Sequence, residues 1–265
     1  MTLFLRELNR NSRSFIIWTT SLVTSSVLMM LLFPYMQTNI AEMMKDMTGS
    51  MPEGMVSALN LGLDFSKVLP FFAYLFQYII LFSAIYAMLL GAGILSREEG
   101  EKTVEFLLAK PVTRNGIITS KLSCLLVYLV VFNLIFAAAD YAAIRIVSEQ
   151  DFSIKLFILL HFGQLLIQFV FALTGLLISV FVTRTATIYP LSVGVVLLMY
   201  FISIISGISG KLGDLKYLTP FEYAMPADIV RTGGIEPVCY VIIGALIVAC
   251  TAGTYVFYNR KDIRA

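Results

Sequence analysis

Hydrophobic residues fall into long uninterrupted blocks separated by polar connections. The blocks cover residues 15–35, 69–95, 122–143, 156–182, 188–208 and 238–258. A helix needs about 20 apolar residues to cross a bilayer. The pattern therefore predicts an all-α polytopic membrane protein with six transmembrane helices in one domain, residues 1–265. Pro70 and Pro237 stand at the starts of the second and sixth spans, where a missing N–H is tolerated. The first apolar run is too long for a signal-peptide core and no A-x-A site follows it, so it stays as the first span. Ahead of it, residues 1–13 set Leu3, Phe4 and Leu8 against Arg6, Arg10 and Arg13. This reads as an interfacial elbow helix.

Composition agrees: 58% of the 265 residues are hydrophobic, 14% are charged and the mean hydropathy is +0.86. A soluble domain carries about 25% charged residues. The net charge of +2 says little, but its distribution is informative. Arg6, Arg10, Arg13, Arg97, Lys102, Lys110, Arg114, Lys121, Arg184, Arg260, Lys261 and Arg264 fall on one side of a six-span layout. The other side, with the longer loops 36–68 and 210–236, carries fewer cations. Cation bias marks the cytoplasmic side, which predicts a multi-pass plasma-membrane protein with both termini in the cytoplasm.

The most polar passage is 96–121, SREEGEKTVEFLLAKPVTRNGIITSK. Ser96 and Glu99 have capping-box spacing, although the second span can also run on through them. Thr103–Ala109 makes two further turns, with Val104, Leu107 and Leu108 on one side. Pro111 ends that piece and Thr113 caps the helix that returns to the bilayer. The prediction is a short amphipathic helix held in the cytosol between two spans.

The run E-E-G-x-x-T-V-E-F-L-L-A-x-P-V-T-R-x-x-I-x-x-S-K resembles the first cytoplasmic loop of ABC-2 type transporter permeases, of the single-domain kind that pairs with a separate ATPase chain. Glu98, Glu99, Gly100, Thr103, Glu105, Leu107, Leu108, Pro111, Val112, Arg114 and Lys121 carry the likeness. It implies a type V exporter-like architecture in which this loop is the coupling helix that docks into the nucleotide-binding subunit. Phe106, Leu107 and Leu108 would then fill a groove, and Glu101 and Glu105 would meet basic residues. The implied partners are two ATPase copies, a second or related permease and the lipid bilayer, with no nucleic acid. ATP and Mg would be bound by the partner, so this chain needs no cofactor of its own. The resemblance also suggests a short re-entrant or interfacial helix in 210–236, where Phe221, Tyr223, Met225 and Ile229 make the loop only partly polar.

Within the spans, His161, Gln164 and Gln168 lie at i, i+3 and i+7, on one helix face. They either hydrogen-bond between helices or line a translocation path. Asp140, near the outer end of the third span, is a functional candidate as an intramembrane carboxylate, with an interfacial ion pair to Arg145 as the simpler expectation. Met43, Met47, Met51 and Met55 recur every fourth residue in the first outer loop, as an apolar packing face or a soft-metal stripe. Cys124, Cys239 and Cys250 show no metal spacing. Ser209-Gly210-Lys211-Leu212 fails as a P-loop, because Leu212 stands where Ser or Thr is needed. No H-E-x-x-H or G-x-S-x-G is present. The chain is therefore read as non-catalytic, a permease subunit driven by a separate ATPase. The alternative is an ion-coupled secondary transporter or a membrane sensor or scaffold, but a single marginal Asp in continuous spans gives ion coupling little to work with.

Overall fold

A computed structural model describes residues 2–39, 48–100, 113–182, 184–208 and 215–261. In chain order the elements are α1 (Thr2–Met30), α2 (Phe33–Asn39), α3 (Glu53–Ala58), α4 (Val68–Gly100), α5 (Arg114–Val147), α6 (Ile154–Phe181), α7 (Thr185–Ile208), a 3-10 helix (Pro220–Ala224), α8 (Pro226–Thr232) and α9 (Pro237–Arg260). Six helices are long and apolar enough to cross a membrane, with α1 and α2 together forming the first. No strand occurs among the described residues.

Helix α4 is the hub. Of its most apolar stretch 89% is buried, against 22% for α1 and α7 and 11% for α9. Its sequence is accordingly hydrophobic all round, with Phe71, Phe72, Phe76, Tyr86, Met88 and Ile94 almost inaccessible. Helix α6 crosses it at backbone contact. A Cβ placed on Gly91 would run into the carbonyl oxygen of Ala172, and one on Gly175 into that of Met88. Small residues let two helices approach this closely where lipid offers no hydrophobic drive.

The structure departs from the expected boundaries in two places. Residues 1–13 do not form a separate elbow: α1 continues without a break from Thr2 to Met30, and its first turns pack against α4 and α5. Helix α4 runs through Ser96, whose hydroxyl bonds back to the Ala92 carbonyl at 2.7 Å, and ends at Gly100. Helix α5 starts at Arg114, with Thr113 as its N-cap accepting from the Gly116 N–H at 3.1 Å. The helices thus take in residues 96–100 and 114–121 of the expected 96–121 loop; residues 101–112 lie outside the described residues.

One end of the bundle, called proximal here, gathers the start of α1, the end of α4, the start of α5 and the end of α9. The opposite, distal end is covered by chain that folds back. Asn60, at φ 55, turns the first connection inward and bonds Gln77 at 3.0 Å. Gln150 accepts from the Val68 N–H at 3.0 Å and donates to the Ser66 carbonyl at 3.2 Å. The 3-10 helix and α8 dip back beside α6: a Cβ on Gly163 would lie 2.8 Å from that of Ala224. Gly163 is nine residues into α6, about 13 Å along it, so this segment re-enters the bundle. Of the methionine stripe, Met55 is half exposed, while Met43 and Met47 lie outside the described residues.

Candidate functional site

The proximal end frames the segment for which coupling was expected. Glu101, Thr103, Glu105, Phe106, Leu107, Leu108 and Pro111 lie outside the described residues. Glu98, Glu99 and Gly100 close α4, and Arg114 opens α5. What the structure describes is how both ends of the segment are held.

Lys121 makes the first attachment. Its Nζ stands 3.2 Å from Glu7 Oε1 and donates to the Ile94 carbonyl at 2.6 Å, tying α5 to α1 and α4. Both side chains are buried, at 0% and 3% exposure. A cation buried this completely is tolerable only when a counter-charge and further acceptors surround it. The second attachment continues along α1. Asn11 bonds the Glu7 carbonyl at 3.0 Å and accepts from Arg97 Nη1 at 3.2 Å. Arg97 Nε reaches the Tyr189 hydroxyl on α7 at 2.5 Å, and its guanidinium lies 5.7 Å from the ring centre. The Tyr128 hydroxyl adds a bond to the Leu8 carbonyl.

The third attachment holds α5 to the end of α9. Arg114 Nη1 donates to the carbonyls of Tyr258, Asn259 and Lys261 at 3.3, 2.9 and 2.8 Å. A helix C-terminus presents unsatisfied carbonyls and partial negative charge, which a guanidinium complements. Asn259 bonds Asn115 at 2.7 Å, and Thr119 meets the Tyr255 hydroxyl at 2.7 Å. Arg97 thus joins the end of α4 to α1 and α7, Lys121 joins α5 to α1 and α4, and Arg114 joins α5 to α9.

A second polar cluster lies inside the bundle. His161, Gln164 and Gln168 share a face of α6, as their spacing predicts, and all are buried. Asn133 on α5 donates to Gln168 Oε1 at 2.6 Å. His161 Nε2 stands 3.7 Å from Asp140 Oδ2, and Ser26 on α1 donates to Asp140 Oδ1 at 2.7 Å. The imidazole sits among Phe72, Phe76 and Phe157, with ring centres 6.0, 4.9 and 4.6 Å away. Gln164, between the two contacts, has no hydrogen bond to another helix among the described residues.

The expected Asp140–Arg145 pair does not form. Residues five apart sit about 140° apart around a helix. Asp140 points into the bundle, while Arg145 bonds the Tyr141 hydroxyl at 3.4 Å and lies 5.1 Å from the Phe152 ring centre. The sequence reading also missed Glu7 and Asn11. The buried residues of α1 are Glu7, Asn11, Thr19, Leu22, Ser26 and Met30, a stripe at helical spacing that is mostly polar. In a bilayer the polar stripe, not the apolar one, turns toward neighbouring helices.

Six apolar helices, five of them around the buried sixth, α4, with polar stripes turned inward, define an integral multi-pass membrane protein. Residues 1–263 match the family model described as ABC-2 family transporter protein, and the chain belongs to that family. It is a membrane permease of an ABC transporter, a class of subunit that is generally non-catalytic and associates with an ABC ATPase. No curated protein matches the chain.

Proposed function

We propose that this chain is the membrane subunit of an ABC exporter, that residues 96–121 contain its coupling helix, and that ATP and Mg are bound by two copies of a separate ATPase. Two such permeases, identical or related, would face that ATPase pair, since one six-span chain offers one such loop. Both termini and residues 101–112 would lie in the cytoplasm, with the protein in the plasma membrane. The observation that carries this reading is the frame itself. The motif-bearing segment is attached through Arg97, Lys121 and Arg114 to α1, α7 and α9. An ordinary solvated loop needs no such anchorage.

For His161 and Gln168 the geometry supports interhelical contacts, because Gln168 accepts from Asn133 and His161 faces Asp140 within one chain, whereas Gln164 has no hydrogen bond to another helix among the described residues. A substrate path along this face would require α5 and α6 to part.

The coupling test is Leu107→Asp combined with Glu105→Lys, scored for membrane level, ATPase co-purification and the permease's effect on ATP hydrolysis. Insertion should be normal while co-purification and the rate effect are lost, because central interface anchors commonly carry about 2 kcal/mol or more. An unchanged rate effect would place the coupling surface elsewhere. Orientation is checked separately, with single cysteines at Ser50 and Asn115 in a background lacking Cys124, Cys239 and Cys250. They should label from opposite faces; labelling from one face contradicts the layout.

A further inference from the structure

Helices α1 and α7 both pack on α4, and between them at the proximal end lies a cavity of about 360 Å³. Its walls change character along the helix axis. Arg97 and the Tyr189 hydroxyl stand at the outer, proximal end; Trp18, Leu89, Leu90 and Val193 line the rest. Arg97 and Leu90 are seven residues apart on α4, so the polar and apolar ends are separated by about 10 Å. Gly93 lies between them; a Cβ there would stand 3.0 Å from the Tyr189 hydroxyl and 3.2 Å from Arg97 Nε.

The charge balance distinguishes this cavity from the rest of the frame. Lys121 has a carboxylate and Arg114 has the carbonyl end of a helix. Among the described residues Arg97 is held by neutral groups, the Asn11 amide and the Tyr189 hydroxyl and ring. No carboxylate pairs with it among the described residues. It is nevertheless half-buried at the level where the spans emerge. A guanidinium so placed, with apolar walls running inward from it, complements an anionic head attached to a hydrocarbon tail.

We propose that this cavity binds an anionic amphiphile of the proximal leaflet, a phospholipid with a net negative head, with its phosphate at Arg97 and an acyl chain along Trp18, Leu90 and Val193. The site lies outside the docking segment 101–112 but shares Arg97 with the frame that holds that segment. It would make the permease's inner frame responsive to the charge of the surrounding leaflet.

Trp18 is the single tryptophan of the chain and lies in the cavity wall, so its fluorescence reports occupancy directly. The full-length permease in nanodiscs of zwitterionic lipid is doped with phosphatidylglycerol or phosphatidylcholine carrying dibrominated acyl chains. Bromine quenches indole on contact. One interfacial cation contributes a preference of about fivefold, so brominated phosphatidylglycerol should quench at correspondingly lower mole fraction. Arg97→Gln, which keeps a donor toward Asn11, should make the two lipids equal. Val193→Phe keeps the charge but fills the apolar wall, and should weaken quenching by both. Equal quenching in the unaltered protein overturns the proposal, as does a preference that survives Arg97→Gln. Quenching by neither lipid means that protein, such as a second copy, covers the furrow, and also overturns it. Relief of quenching by inorganic phosphate, without any difference between the lipids, would assign the site to a soluble anion instead and reject the lipid.

Discussion

Near the start of α5, Lys121 meets Glu7 at 3.2 Å and a backbone carbonyl at 2.6 Å; toward the other end of the same helix, Asp140 faces His161 at 3.7 Å. Both pairs are buried, both take a partner from α1 into their surroundings, and both lie in low dielectric. They are finished differently. Around Lys121 the charge is met by a carboxylate and a carbonyl, and Asn11 continues the network to Arg97. Around Asp140, Ser26 satisfies one oxygen, while the other oxygen faces the His161 Nε2 at 3.7 Å, too far for a hydrogen bond. A saturated pair fixes two helices in one arrangement. A pair with open valences leaves its helices freer to move apart, because less is lost when they do. The proximal frame is thus expected to be the stiffer part of the bundle and the α5–α6 contact the more compliant one.

The largest effect should come from Lys121→Met. It leaves Glu7 charged and buried, a loss of about 3–5 kcal/mol. Membrane level and thermal unfolding of the extracted protein should both fall sharply. Adding Glu7→Gln should recover much of that loss, and failure to recover would show that packing, not charge, holds the pair. Asp140→Asn should cost less, about 1–2 kcal/mol, since one hydrogen bond to Ser26 can survive. A loss as large as that of Lys121→Met would erase the distinction between the two pairs. Arg114→Gln should cost about 1 kcal/mol through the end of α9, read as earlier proteolysis of the C-terminal residues. The Asn133–Gln168 contact should show a coupling of about 0.6 kcal/mol in a double-mutant cycle with leucines. Gln164→Leu should be neutral or slightly stabilising, because its amide bonds no other helix among the described residues.

The spans were legible because twenty apolar residues in a row have few other uses, and Thr113 was legible as a cap from its place after Pro111. The face shared by His161, Gln164 and Gln168 followed from helical spacing alone. Its partners were within reach of the same reasoning: Asn133 and Asp140 are seven apart on α5, as Gln168 and His161 are on α6, so an antiparallel pairing aligns both contacts. The proximal frame was harder. Glu7 and Lys121 are 114 residues apart, and a charge beside a polar loop reads as solvated until the helices carrying it are assembled. The first helix was misread for a related reason. Its arginines suggested a surface elbow, whereas the sparse polar residues on its other side, Glu7, Asn11 and Ser26, are those that bond within the bundle.

The central claim is that residues 101–112 act on the permease through fixed points in a stiff frame. It is tested most directly with the Glu7→Gln/Lys121→Met double variant, purified with its ATPase, by measuring co-purification and the permease's effect on ATP hydrolysis together. The ATPase should still bind, since the proposed docking residues are untouched, while the rate effect falls severalfold because α5, into which the segment leads, is no longer tied to α1. An undiminished rate effect in a stable, fully assembled double variant would contradict it.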